Sequence, residues 1–310
     1  MNKPGLADTH LHLQAAPSAR AYTALARAQG VQRFYCMCAG FADLKALLQL
    51  KCSLEPELKI FMGCHPAYLP LFDDKAQQEF EACLRSSFIS GIGEVGLDGR
   101  FIDKTPLGAQ LSFLKYFLDT ASALDLPVSL HCVKAHNEML SLLKTYQGRL
   151  RFCLHGANLS AELLEQYLRL GGYVGVGALI LNPHTRLSRT IAALLQTKAQ
   201  TKAEAQEHIT GKEQQEGVRL CTGDGAVSVS RAAEVSALLL QRLLLESDFD
   251  GRPLPEHYYL CLKQRAAALL GFGAAAGGEA FKNHTAEALL EAQLYQNERD
   301  FLNEQVLLCN

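Results

Sequence analysis

The stretch Phe88-Ile89-Ser90-Gly91-Ile92-Gly93-Glu94-Val95-Gly96-Leu97-Asp98 is followed by Ala109 to Leu124 and then by Leu126-Pro127-Val128-Ser129-Leu130-His131-Cys132. It reads as strand, helix and strand. Short apolar runs bounded by glycine or proline predict strands over Phe88–Val95 and Leu126–Cys132, and apolar recurrence at three and four residues predicts the helix between them. The same rhythm extends in both directions. Upstream lie Leu6–Leu13, Val31–Cys36 and Leu58–Cys64; downstream lie Leu150–His155, Tyr173–Ile180 and Arg242–Ser247. Helical patterns over Ser18–Gln29, Lys75–Ser86 and Ala161–Leu170 separate them, the last stopped by Gly171-Gly172. Eight strands alternating with helices predict an α/β fold of the (β/α)8, TIM-barrel type. An open doubly wound sheet is the rival, but no glycine-rich dinucleotide fingerprint follows the first strand.

The chain of 310 residues is long enough for such a barrel as one domain spanning 1–310. Its 48% apolar content supplies a large core. With 30 Lys plus Arg against 32 Asp plus Glu, the near-neutral balance excludes a protein that holds nucleic acid mainly by a basic surface. It leaves room for an enzyme whose bound metal ions supply positive charge locally. Met1-Asn2-Lys3-Pro4-Gly5 leads into a polar motif without a secretory apolar segment, and the richest apolar run, Ala237–Leu245, is broken by Gln241 and Arg242. A cytoplasmic protein without membrane contact is expected. The ten cysteines are scattered, and Cys36-Met37-Cys38 has no matching pair, so buried reduced thiols are expected and neither a disulfide framework nor a structural zinc site. One region breaks the rhythm: 186–230 is long, polar and repetitive, and reads as an exposed insertion before the eighth strand. Gly271–Gly278 reads as flexible, and Ala286–Leu308 as closing helices.

Five of the ten histidines, His10, His12, His65, His131 and His155, fall where a predicted strand ends. In a barrel those ends form the active-site mouth. His10 and His12 stand two apart, so on a strand they point to one side and can grip one ion. Glu94 ends an apolar strand between glycines, and its two oxygens can bridge two metals. Asp248 closes Leu243-Leu244-Leu245-Glu246-Ser247-Asp248. Nitrogen and carboxylate donors without cysteine suit Zn2+, Mn2+ or another divalent ion. Asp224, at the end of Val218–Asp224, also reads as a strand-end acid, but the longer apolar run favours Asp248. His136, one helical turn past His131, reads as a supporting or surface residue.

The ordered set His10-x-His12, Gly63-Cys64-His65-Pro66, Gly93-Glu94-Val95-Gly96-Leu97-Asp98, Leu126-Pro127-Val128-x-x-His131, His155-Gly156 and Leu243 to Asp248 resembles the TatD family of metal-dependent hydrolases. Asn297-Glu298-Arg299-Asp300-Phe301 resembles that family's terminal Asn-x-x-x-Phe signature. The resemblance implies a TIM-type barrel, two divalent ions (Zn2+, Mn2+ or Mg2+) and hydrolysis, most often of DNA phosphodiesters as a 3'-5' exonuclease. It implies one metal site from His10, His12, Glu94 and Asp248, and another from Glu94, His131 and His155. Two ions about 3.5–4 Å apart would generate a metal-bound hydroxide. Asp248, able to ligate and to take a proton, is assigned the general base. His65, outside that ligand set, is assigned to the phosphate or leaving oxygen.

Three departures touch the substrate side. Cys132-Val133-Lys134 replaces an arginine-bearing pair that could fork a phosphate; Gly156-Ala157-Asn158-Leu159 replaces an aromatic-Ser-Gly run; and Phe249-Asp250 replaces Ala-Pro. They keep alternatives open. One is an amide, lactone or carboxylic-ester hydrolase of the same barrel superfamily, where a carbamylated lysine commonly bridges from strand four; Glu94 stands in this fourth strand. The other is a metal-holding, non-catalytic binding protein. No base-stacking array is visible in the sequence, so short contacts near a strand end are expected.

Overall fold

Eight strands, β1 (Leu6–Leu11), β2 (Val31–Met37), β3 (Leu58–Met62), β4 (Ile89–Asp98), β5 (Val128–Val133), β6 (Phe152–Leu154), β7 (Tyr173–Val176) and β8 (Leu243–Leu245), run parallel in chain order. The computed structural model describes residues 5–40, 42–54, 58–86, 88–194, 224–270 and 279–303. Around the strands lie α1 (Ala19–Ala28), α2 (Ala42–Leu54), α3 (Asp74–Leu84), α4 (Leu107–Leu124), α5 (His136–Lys144) and α6 (Ala161–Arg169). They are followed by α7 (186–194), α8 (Asp224–Arg242), α9 (Tyr258–Leu269) and α10 (Glu279–Leu302). Side-chain oxygens of Ser18, Asp73 and Ser160 accept backbone N–H groups at the starts of α1, α3 and α6. Chain following β8 completes the ring against β1: Asp248 N–H donates to the His10 carbonyl (2.9 Å), His12 N–H donates to the Phe249 carbonyl (2.7 Å), and Leu11 bridges Phe249.

Period-two alternation sorts the strand residues into two layers. Phe34, Ile60, Met62, Phe152, Leu154, Val174, Leu243 and Leu245 belong to the large cluster shared with the helices. Their strand neighbours Tyr35, Met37, Phe61, Cys153, Tyr173 and Leu244 pack with Phe301 of α10 in a second cluster. The row containing this second cluster turns polar toward the carboxyl ends: Cys153 is followed two residues on by His155, and Leu244 by Glu246. Those ends are where chemistry is sited in such barrels. Gly96 lets β4 approach β5 there, because a Cβ at that position would overlap the His131 carbonyl.

The carboxyl-terminal signature is structural. Asn297 donates to the carbonyls of Leu240 (2.9 Å) and Leu243 (2.8 Å), tying α10 to the α8–β8 junction. Glu298 accepts from Arg33 and Tyr35, and Phe301 stacks on Phe61 and meets Tyr173 at a tilt. Asn297→Ala leaves two carbonyls short of a donor, and stability should fall by about 2 kcal/mol. A lowered urea midpoint checks this; an unchanged midpoint would remove Asn297 from the structural framework.

Several boundaries differ from expectation. The strand expected over Tyr173–Ile180 stops at Val176, and Ala178–Leu181 form a 3-10 turn beyond Gly177. Asp224 begins helix α8, which overturns the strand ending read there, while 218–223 lie outside the described residues. The expected insertion 186–230 has helical ends. Leu187 and Ile191 of α7 are buried, and 195–223 lie outside the described residues, as does Gly271–Gly278. Of the closing helical pattern expected over Ala286–Leu308, the described part is a single helix that starts earlier, at Glu279, and ends at Leu302, while 304–308 lie outside the described residues. Cysteines among the described residues are unpaired; Cys36, Cys38, Cys64 and Cys153 are buried, but Cys52 and Cys261 are exposed. Among the described residues no helix is long and apolar enough to cross a membrane.

Candidate metal centre

Five side chains from four strand ends, those of His10, His12, His131, His155 and Asp248, gather around Glu94 of β4. Its Oε1 lies 2.8 Å from His155 Nε2 and 2.9 Å from His131 Nδ1, while its Oε2 lies 3.4 Å from His12 Nε2 and 3.7 Å from His10 Nε2. The two oxygens of one buried carboxylate therefore face two different histidine pairs. Asp248 comes from beyond β8, in a left-handed backbone conformation (φ 51°), with Oδ1 3.9 Å from His10 Nε2. His10, His12 and Glu94 form one group that could hold an ion, Glu94, His131 and His155 a second, and His10, His155 and Asp248 a third.

The surrounding hydrogen bonds aim the ring nitrogens. His12 donates from Nδ1 to the Met37 carbonyl (3.2 Å), which leaves the Nε2 lone pair toward Glu94. His131 places Nε2 2.9 Å from Asp98 Oδ2, so Nδ1 is the nitrogen it turns toward Glu94 and His155. That geometry favours grouping His131 with Glu94 and His155 over the alternative group of His65, Asp98 and His131. Asp98 is itself held by the Arg100 fork through Nε and Nη2. Its carboxylate thus orients a histidine. His10 bonds through Nδ1 to Ser129 Oγ (2.9 Å), and its buried Nε2 has no hydrogen-bond partner. An orphaned imidazole nitrogen between two carboxylates fits a divalent cation.

Charge in the cluster is balanced locally. Burial would raise the Glu94 carboxyl, but the charge of His155 and the facing rings of His10, His12 and His131 hold it well below the usual carboxylate range. Burial pulls His155 down, yet Glu94, aided by Asp248 and Glu246, pushes it up to about 9. Burial and the neighbouring His155 take His10 down to about 4. A proton on His155 thus balances Glu94 in the metal-free cluster, and a divalent ion bound there would displace it.

His65 stands at the edge of the cluster, Nε2 3.8 Å from Glu94 Oε1 and its ring 4.4 Å from His131. Its Nδ1 accepts the Ala67 N–H (3.1 Å), and burial brings its pKa down to about 4, so the neutral ring carries its proton on Nε2, toward the mouth. His136 bonds to the Tyr167 hydroxyl (3.0 Å) and ties α5 to α6, a packing role.

Sequence reasoning missed three supporting groups. Ser129 sets the His10 ring. Asp8, fully buried, accepts from Ser247 N–H (2.8 Å), Ser247 Oγ (2.6 Å) and Tyr259 OH (2.5 Å), and so fixes the backbone immediately before Asp248. Glu246 is the third. Its Oε1 accepts the Gly156 N–H (2.6 Å), and burial pushes its carboxyl up to about 8 against the pull of His155. Its Oε2 and His155 Nδ1 are both buried without a partner. A Cβ at Gly175 would overlap Oε2, so only glycine leaves room for this carboxyl. The available signal was its place two residues before Asp248, in register with inward-facing Leu244.

A cavity of about 500 Å³ opens beside Asp248, lined among others by Gly156, Leu179, Glu246, Asp250 and Arg252. Of the three departures, Phe249 is buried against Tyr22 (4.2 Å) and Ala157 is buried, so both serve packing. Val133 pairs with Asp98 across β4 and β5, beside half-exposed Arg100.

An eight-stranded parallel barrel with this histidine–carboxylate cluster at its carboxyl-terminal mouth defines the class: a metal-dependent hydrolase on an α/β barrel. The family model of the TatD related DNases matches residues 7–200, and the chain belongs to that family. The matched span contains His10, His12, Glu94, His131 and His155; Asp248 lies beyond it. The chain is 29% identical over 193 residues to the metal-dependent hydrolase YjjV of Escherichia coli, covering 61% of this chain and 74% of that protein. It is 31% identical over 115 residues to the 3'-5' ssDNA/RNA exonuclease TatD of Edwardsiella piscicida, 37% of this chain and 44% of that one. The fold is similar to the crystal structure of YjjV, with TM-score 0.67 at 22% identity over 97% of this chain and 98% of that one. It is also similar to a TatD-family hydrolase of Entamoeba histolytica, with TM-score 0.63 at 14% identity over 96% and 98%.

Proposed function

We propose that the chain is a divalent-metal-dependent phosphodiesterase that removes nucleotides from the 3' end of single-stranded nucleic acid. The observation that carries the metal-dependent reading is the division of Glu94, one oxygen toward His10 and His12 and the other toward His131 and His155. The exonuclease named among its relatives supports the choice of bond. In this reading His10, His12, Glu94 and Asp248 hold one ion, and Glu94, His131 and His155 hold the other, with Zn2+, Mn2+ and Mg2+ as the candidates. Bound there, the ions supply an acidified water and polarise the phosphoryl oxygen.

The chain's own groups do the rest. Asp248, with its side chain 53% exposed at the mouth, accepts the proton of the attacking water. His65 donates from Nε2 to a phosphate or leaving oxygen. Asp98 and Ser129 keep His131 and His10 turned inward. Glu246 holds the His155–Gly156 turn to β8, and Glu246→Ala should weaken metal binding about 10- to 100-fold. Chelator competition reads this directly; affinity equal to wild type would reduce Glu246 to a packing role.

Nucleotide release from end-labelled single-stranded DNA tests the reading. Metal-stripped protein is assayed with Mg2+, Mn2+ or Zn2+ restored, with Glu94→Ala as the contamination control. Metal-dependent release from the 3' end, absent in the variant, is the expected result. Release equal in the variant, or no release with metals bound, would overturn it.

A further inference from the structure

The rim on the β3–β4 side of the mouth carries aromatic rings that the barrel core does not use. Tyr68, in the 3-10 turn Pro66–Leu71 after β3, is 46% exposed. Phe101, in the turn after β4, is half-buried and fixed by its neighbours' hydrogen bonds: its N–H donates to the Asp98 carbonyl (3.1 Å), and its own carbonyl accepts from Lys104 (3.0 Å) and Thr105 (2.9 Å). Both rings meet His65 nearly edge-on, at centroid distances of 6.4 and 5.9 Å and interplanar angles of 65° and 84°. They are therefore one ring removed from the metal cluster, and among the described residues neither is stacked face-to-face on another ring. Cations stand beside them. The Arg100 guanidinium is 5.7 Å and the Lys104 ammonium 5.8 Å from the Phe101 centroid, and Lys104 is exposed with no ion-pair partner among the described residues.

Aromatic faces interleaved with cations are what a single-stranded nucleic acid requires, since every base has a π-face and every linkage a negative charge. We propose that Tyr68 and Phe101 form a stacking subsite for the nucleobase adjoining the scissile phosphate, with Lys104 receiving the flanking phosphate while Arg100 stays forked on Asp98. The subsite rests on the nuclease reading and adds to it the part of the substrate that is gripped. No base-stacking array is visible in the sequence because the two rings come from separate loops, after β3 and β4, 33 positions apart.

The test compares a fluorescein-labelled oligodeoxythymidylate with a chain of equal length whose sugars carry no bases. Metal-stripped wild type and Tyr68→Leu/Phe101→Leu are each titrated by anisotropy, and leucine keeps apolar bulk so that the turns hold. Thermal unfolding of the double variant within a few degrees of wild type is the fold check, and Phe101→Trp in place of Phe101→Leu is the rescue. The wild type should bind the base-bearing chain about 10-fold more tightly than the abasic one, the leucine variant should lose that ratio, and tryptophan should restore it. Equal binding of both chains by wild type, or a ratio that survives in the leucine variant, would overturn the subsite. Failure of nucleotide release with the binding ratio intact would sink the nuclease reading and leave the subsite standing.

Discussion

Glu94→Ala should lower turnover by about 10³-fold or more, the consequence of losing several kcal/mol of charge stabilisation at the reacting phosphate. The size follows from its position. Its two oxygens lie within 3.7 Å of four histidine nitrogens, whereas the nearest of these that Asp248 approaches is His10 Nε2, at 3.9 Å. Without it His131 and His155 retain two nitrogens for one ion, and His10 and His12 retain Asp248 as their only acid. Metal content measured after dialysis should therefore fall together with activity, and the His131–His155 ion should be the more depleted. Unchanged metal content with retained activity would contradict the bridging role. The substitution also removes a buried anion from beside histidines that it holds in place, so thermal unfolding belongs in the same experiment. A folded, metal-poor and inactive variant is the expected combination.

Asp248→Asn should separate binding from chemistry. The amide oxygen can still approach an ion, but the side chain can no longer accept a proton at neutral pH. Turnover should fall about 100-fold or more, the usual contribution of a positioned general base, while metal content falls less. The supporting frame is unaltered, because Asp8, Ser247 and Tyr259 fix the preceding backbone and the Asp248 N–H donates to the His10 carbonyl irrespective of the side chain. Loss of metal and turnover in equal measure would assign Asp248 to ligation alone.

The order of the eight strands was legible in the sequence, because apolar runs of strand length alternate with helical periods and a parallel barrel needs nothing subtler. Strand ends were less legible. Tyr173–Ile180 kept its apolar character past the point where Gly177 turns the backbone into a 3-10 turn, and composition alone does not register that break. Asp224 carried the pattern of a strand-end acid, yet it opens a helix. Period-two alternation also explains why the gathering of His10, His12, Glu94, His131, His155 and Asp248 could be read in advance: five of them sit within two residues of a strand's carboxyl end or a few residues past it, and the barrel brings those ends together. The exception is Glu94, because β4 runs on to Asp98, four residues beyond it and past the strand end expected at Val95.

What the sequence determined by itself was the barrel and the list of residues reaching its mouth, since both depend on local periodicity and spacing. The tertiary structure decided which nitrogen of each histidine faces Glu94, because those orientations rest on partners far away in sequence, such as Ser129 for His10 and Asp98 for His131. It also decided that Glu246 belongs beside His155 and that Tyr68 and Phe101 flank His65. Those pairings follow from the closure of the ring and the folding of its loops. They are set by distance in space, which no local pattern along the chain encodes.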